Sequence, residues 1–125
     1  MGARAQVEVQ QKPHSVFLYT HWGADEILQD VIKGIIKGKL RWNDPTYLTR
    51  ILFDSMKKGD DSTKSFGIGT FQAGDIEKLV IVDTENQEVK YYAINGNIDQ
   101  DRLLISEHKF EEFVDPIADG ILHRC

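Results

Sequence analysis

The sequence predicts an α+β fold: a mainly antiparallel sheet of four to five strands with two helices packed on one face. A run of β-branched and aromatic residues at positions 15–20 is typical of a buried strand. Two later stretches, residues 27–36 and 45–56, repeat apolar residues with a helical period. The second half of the chain then alternates short apolar runs with turn residues, as strands do.

The first 13 residues are predicted to form a tail or a short edge strand. Val7 and Val9 are their only large apolar side chains besides Met1, and they alternate with polar residues up to Pro13. Residues 14–125 are predicted to form a single α+β domain, because no linker, repeat or low-complexity segment interrupts them.

Both helices show their ends in the sequence. Asp25 and Glu26 suit the start of the first helix, and Gly38 is expected to end it in a left-handed conformation. Asp44 and Pro45 suit the cap and first position of the second. The first helix carries one apolar stripe, all of which is expected in the core: Ile27, Leu28, Val31, Ile32, Ile35 and Ile36.

Four strands are predicted in the second half, at residues 65–71, 79–82, 88–93 and 102–106. The second is fully apolar and therefore expected in the sheet interior, and the third should return beside it as an antiparallel hairpin. Gly67 and Gly69 in the first indicate a close approach of another backbone. A turn at 95–97 and a short helix around Phe110 and Phe113 complete the chain.

The composition excludes several classes of function. A net charge of −5 argues against general nucleic-acid binding, which requires a basic surface. The single cysteine, Cys125, allows no internal disulfide, and the four histidines lack metal-ligand spacing. No apolar run approaches the length of a membrane span. We therefore expect a cytoplasmic protein with no membrane association, no metal and no cofactor; a homo-oligomer is compatible with the sequence.

The candidate ligand- or partner-binding site begins with Tyr19, His21, Trp22 and Gly23. These residues lie where a buried strand passes into a helix, a common place for ligands in α/β proteins. His21 can donate a hydrogen bond or proton, and Trp22 offers a face for stacking. Alternatively, Trp22 covers the end of the core. Asp75 is a possible orienting carboxylate for His21, although a turn-forming role is the favoured explanation for this residue.

A second cluster, Arg41, Trp42 and Arg50, is a candidate extension of this site. Arginine beside tryptophan can clamp a phosphate and stack a base. In the alternative interpretation Trp42 packs between the helices and Arg41 points to solvent.

The stretch from Phe17 through the Tyr-Thr-His-Trp-Gly motif, together with residues 42–51 and the strand ending at Val82-Asp83, resembles small uncharacterised proteins of phages and prophages. The resemblance spans roughly residues 16–92. It implies a viral or mobile-element accessory protein, for which countering a host defence is a common role.

Three functional hypotheses follow. The leading one is a phage-type accessory protein that counters host defence by binding: it occludes a host defence protein or sequesters a small nucleotide ligand, in the host cytoplasm. The second is a small enzyme acting on a phosphorylated nucleotide, with His21 as acid/base. The third is a structural or assembly protein.

Overall fold

The computed structural model describes residues 3–95 and 102–114. The end of the predicted turn at 95–97 and Cys125 lie outside these residues. Short 3₁₀ segments at Ala24–Glu26, Lys39–Arg41 and Phe110–Val114 join or follow the main elements. The strands and helices are β1 (Ala5–Gln11), β2 (His14–Thr20), α1 (Ile27–Lys37), α2 (Pro45–Lys57), β3 (Phe66–Gly69), β4 (Lys78–Asp83), β5 (Glu88–Ile94) and β6 (Arg102–Lys109).

The six strands form one mixed sheet in the order β3-β2-β1-β4-β5-β6. The fold is therefore α+β with two helices, as predicted, but the sheet has more strands than expected and one parallel pairing, between β1 and β4. The prediction of a tail or edge strand for residues 1–13 is wrong, because β1 lies between β2 and β4 and bonds to both. As expected, β4 is interior and forms an antiparallel hairpin with β5.

The helices cover the face of the sheet that carries Val7, Leu18 and Val80. Side chains of both helices pack there with Phe110 in one continuous apolar cluster. We call this the helix face of the sheet. Successive residues of β1 point to opposite faces of the sheet. Val7 and Val9 therefore lie on the helix face, and Gln6 and Glu8 lie on the other face.

Glycine brings the two helices close together. A Cβ on Gly34 would lie 2.7 Å from a methyl of Leu52, and one on Gly38 would lie 2.8 Å from a methyl of Leu48. Gly38 has a φ of −90°, so the expected left-handed end of α1 is wrong, and close packing explains this glycine instead. The left-handed cap occurs at Lys58, which ends α2 with a φ of 53°.

The apolar stripe of α1 is only partly buried. Ile27, Val31 and Ile35 are fully buried, whereas Ile36 is 37% exposed. Leu28 and Ile32 are half-buried, so the expectation that all six residues lie in the core is wrong for three of them. The apolar stripe of α1 is therefore wider than the surface that α2 and the sheet cover.

The opposite face of the sheet is covered by the segment that connects β3 to β4, residues 70–77, which we call the crossover segment. It must pass β2 and β1 because β3 and β4 lie on either side of them. The Gln6 side chain accepts a hydrogen bond from the Ala73 N–H at 2.9 Å, and Gln72 donates to Glu8 at 3.3 Å. Gln6 and Glu8 are thus buried and satisfied.

Lys58 holds the start of α1 to the end of α2. Its ammonium contacts Glu26 and lies 3.2 Å from the buried carboxylate of Asp30. Burial raises the pKa of Asp30, although Lys58 opposes this effect. The pKa of the exposed Glu26 is lowered by its hydrogen bond and ion pair with Lys58. The two carboxylates therefore share one cation but are perturbed in opposite directions.

We predict that Leu52→Asp prevents folding, because it places a charge at a fully buried position beside Gly34. Ile32→Asp should remain folded with a lower melting temperature, since Ile32 is only half-buried. Circular dichroism melting of both variants checks this. A cooperatively folded Leu52→Asp protein would contradict the described core.

Asp30→Asn should change the pH dependence of stability. The raised pKa means that the folded state disfavours the ionised form of Asp30. The stability that the protonated carboxyl contributes is therefore fully present below the pKa of the unfolded chain, and it is lost as the pH rises through the folded-state pKa. Relative to Asp30→Asn, the wild type should therefore lose stability as the pH rises above about 4, the usual pKa of an aspartate in an unfolded chain.

Glu26→Gln is the matched control for Asp30→Asn. The pKa of Glu26 is lowered in the folded state, so the wild-type protein should gain stability over the Glu26→Gln variant as the pH rises. Melting temperatures of the three proteins over a series of pH values measure both slopes. Slopes of the same sign would show that burial does not dominate at Asp30.

Candidate functional site

A tight turn follows β2 and directs the central motif outward. The Thr20 hydroxyl accepts a hydrogen bond from the Gly23 N–H at 3.1 Å, and Thr20 itself is buried. The Ala24 N–H donates to the carbonyl of Ala3 at 2.9 Å. Both ends of the turn are therefore anchored, and His21 and Trp22 occupy its outer part. A Cβ on Gly23 would lie 3.0 Å from the Thr20 hydroxyl oxygen, which explains the glycine.

Trp22 is 58% exposed, so it does not cover the end of the core. Its ring meets that of His21 edge-on, with centroids 4.2 Å apart and an interplanar angle of 74°. Tyr19 lies on the other side of His21, at 6.5 Å. The three rings thus form a short row that ends in an exposed indole. This arrangement reduces the freedom of a large apolar side chain while leaving its surface open to contact.

The His21 side chain is not held by an acid. Its backbone N–H donates to the Ser65 carbonyl at 2.8 Å, but within residues 3–95 and 102–114 its imidazole makes ring contacts and no hydrogen bond. The possible pairing of His21 with Asp75 does not occur. Asp75 instead accepts a hydrogen bond from the Tyr19 hydroxyl at 3.3 Å, because Tyr19 lies on the sheet face that the crossover segment covers.

Arg4 completes the environment of Tyr19. Its Nε lies 3.5 Å from the Asp75 carboxylate, so an ion pair joins the residue before β1 to the crossover segment beside Tyr19. Burial and the nearby Asp75 carboxylate raise the pKa of the Tyr19 hydroxyl, so it stays a neutral hydrogen-bond donor. This network supports the aromatic row and is a structural rather than a proton-transfer arrangement.

The second predicted cluster lies elsewhere. Trp42 is half-buried, its Nε1–H donates to the Ile35 carbonyl at 2.9 Å, and its ring contacts Phe110 with centroids 5.3 Å apart. Arg41 stacks on the Tyr47 ring at 4.4 Å. These contacts agree with the interpretation in which Trp42 packs the helical hairpin.

Arg50 is also satisfied within α2. It bonds Asp54 one turn away at 2.6 Å and is largely exposed. Among the described residues, neither Arg50 nor Arg41 nor Trp42 contacts His21 or Trp22. The seven predicted site residues therefore form two separate groups, and only Tyr19, His21, Trp22 and Gly23 come together.

The edge strand β3 lies beside this row and was not predicted as part of the site. Its Phe66 pairs with Thr20, one residue before His21. Ile68 on β3 is 64% exposed, and Phe71 just after it is 76% exposed. The sequence does alternate glycines with large apolar residues at 66–69. This pattern indicates a binding surface only when β3 is known to be the edge strand.

No site for a metal or a membrane span appears in the described part. Residues 3–95 and 102–114 contain no group of three histidine, cysteine or acidic side chains that could hold a metal ion. No helix among them is long and apolar enough to cross a membrane. A cavity of about 240 Å³ opens between β1, β2 and the start of α2, lined in part by Val9, His14 and Thr46, and it includes none of the predicted site residues.

Comparison with known proteins found no match among family models, curated proteins or solved structures.

We predict opposite consequences for the two tryptophans. Trp22→Ala should change the free energy of unfolding by less than about 0.5 kcal/mol, as at most exposed positions. Trp42→Ala should cost about 3 kcal/mol, because it removes a packed ring and leaves the Ile35 carbonyl without its donor. Chemical denaturation of both variants measures this. Comparable losses would contradict the assignment of Trp22 to a binding surface.

Proposed function

We propose that the chain is a non-enzymatic accessory protein of the phage type, which binds and occludes a host defence protein through the surface around Trp22. The observation that carries this proposal is a large aromatic side chain that is mostly exposed and held by His21. Tryptophan is the residue most enriched in the energetically dominant positions of protein interfaces.

The shape of the surface favours a protein over a small nucleotide. Small ligands bind in concave sites that bury most of their surface, whereas the Trp22 indole is 58% exposed on a turn that adjoins the edge strand β3. Ile68 on β3 is also exposed, and the His21–Ser65 hydrogen bond joins the turn that carries Trp22 to the start of this strand. Arg41 and Arg50, the candidate cations of the predicted second cluster, have partners on α2.

The enzymatic hypothesis has less support. A general acid or base is usually oriented by a second polar group, and the His21 imidazole contacts only aromatic rings among the described residues. The phage context itself rests on the resemblance of the Tyr-Thr-His-Trp-Gly motif and remains part of the proposal.

Photo-crosslinking tests this proposal. We expect p-benzoylphenylalanine at position 22, in the chain produced in bacterial cells, to form an adduct with one defence protein. The same amino acid at position 40 is the matched control, because Leu40 is 96% exposed but lies on the helical hairpin. An excess of purified wild-type protein should compete for the partner, and Trp22→Ala should compete at least about tenfold less well.

Two results would contradict the proposal. Identical adducts from positions 22 and 40 would show that the surface around Trp22 has no specific partner. A nucleotide released by denaturing the purified protein and detected by mass spectrometry would favour sequestration of a small ligand instead.

A further inference from the structure

We propose that the free edge of β3 binds an extended, basic segment of the partner protein, which adds to the sheet as a seventh strand beside β2-β3. This inference rests on the proposed function and specifies how the partner is held. β3 is the terminal strand of the sheet, so one side of its backbone has no neighbouring strand within the described chain. An extended peptide can bind such an edge through main-chain hydrogen bonds.

The register identifies which backbone groups are open. In an antiparallel ladder, hydrogen-bonded and non-bonded pairs alternate. His21 donates to the Ser65 carbonyl, so Gly67 and Gly69 also bond to β2. The N–H and C=O groups of Phe66 and Ile68 therefore point away from the sheet. These groups offer two donors and two acceptors to an added strand.

Contacts among residues 3–95 and 102–114 do not explain the two glycines. Neither has a positive φ, a Cβ on Gly69 would meet nothing within 4 Å, and one on Gly67 would only reach ordinary contact with Tyr19 at 4.0 Å. Glycine weakens a strand unless another backbone or ligand approaches it closely. The approach that these glycines indicate must therefore come from outside the described chain.

The position of the glycines also indicates what the partner carries. Opposite an added strand, Gly67 and Gly69 would form the narrow, non-bonded pairs, in which Cα atoms are about 4.5 Å apart. Large side chains from the partner can lie over glycines in such pairs. There they would be next to Tyr19 and Phe17, which pair with the same glycines from β2. We therefore expect aromatic residues at alternate positions of the bound segment.

Charge at the Trp22 end of β3 favours a basic segment. Asp60 and Asp61 belong to the loop before β3, whose Ser62 hydroxyl lies 3.0 Å from that of Ser65. Asp25 is exposed three residues after Trp22. Against these three carboxylates the same loop offers the ammonium group of Lys64, since that of Lys58 is paired with Glu26 and Asp30. An acidic segment would meet like charge there, which is unfavourable for association.

The probe for this proposal is the synthetic peptide acetyl-Lys-Tyr-Val-Tyr-Lys-Lys-amide, which combines alternate aromatic residues with basic ends. We expect it to slow amide hydrogen exchange at Phe66 and Ile68 at least about tenfold at saturation, as measured by NMR. The same peptide with glutamate in place of each lysine should bind at least about fivefold more weakly. A peptide with proline in place of valine should not bind.

Variants of the edge separate backbone pairing from side-chain contact. Ile68→Pro removes an N–H that points away from β2, at an edge position where proline is tolerated, and should abolish peptide binding. Ile68→Thr keeps the N–H and should bind within about threefold of wild type. Gly69→Thr fills open space, so it should fold with an unchanged or higher melting temperature and bind at least about tenfold more weakly.

The proposal is overturned if the peptide leaves β3 unperturbed up to about 1 mM, or if Ile68→Pro and Ile68→Thr behave alike. A homodimer that Ile68→Pro dissociates would also overturn it, because the edge would then serve a second copy. If position 22 still crosslinks a defence protein in the Gly69→Thr variant at wild-type yield, the proposed function stands and the edge inference fails. If the peptide binds the β3 edge but no defence protein is crosslinked, the edge inference stands and the proposed function fails.

Discussion

The insertion of β1 between β2 and β4 is the constraint on which the rest of the structure depends. β1 pairs on both sides, and its two faces are covered by the helices and by the crossover segment, although only its alternate residues are apolar. Val7 and Val9 pack under the helices, whereas Gln6 and Glu8 require hydrogen-bond partners on the other face. The crossover segment supplies those partners, so the polar half of β1 determines where the chain runs after β3.

The same constraint leaves β3 at the edge. β2 pairs with β1 on one side, and its other side accepts only the four residues of β3 before the chain turns to cross the sheet. Natural edge strands are usually short, twisted or charged, which limits unwanted pairing. β3 is short but carries glycine and exposed Ile68 instead of charge. An edge without charged protection is consistent with a strand that pairs with a specific partner.

The aromatic row and the free edge are adjacent because one hydrogen bond links them. The His21 N–H donates to Ser65, so the turn that carries Trp22 continues the ladder between β2 and β3. An added strand that extends past Phe66 would reach the end of β3 where this turn lies. A central aromatic anchor and a set of main-chain hydrogen bonds are complementary means of binding, since the first supplies affinity and the second fixes register.

The sequence by itself determined the local elements: the two helices, the strand at 15–20 and the β4–β5 hairpin. Helical and strand periodicity, proline at the start of α2 and turn residues are local signals, so they can be recognised without knowing neighbours. The grouping of Tyr19, His21, Trp22 and Gly23 was also predicted, because these residues are consecutive or nearly so along one strand and its turn.

Only the tertiary structure decided the strand order, the role of β1 and the separation of Trp42 from Trp22. An alternating segment such as residues 5–11 reads as an edge when its polar residues are assumed to face water, and it becomes central only when the distant residues 72 and 73 satisfy Gln6 and Glu8. Likewise, Trp22 and Trp42 each follow a polar residue in a segment between main elements. Trp42 is partly buried because it packs on Phe110, which lies about 70 residues further along the chain. Burial depends on partners remote in sequence, and periodicity contains no information about which segments those partners are.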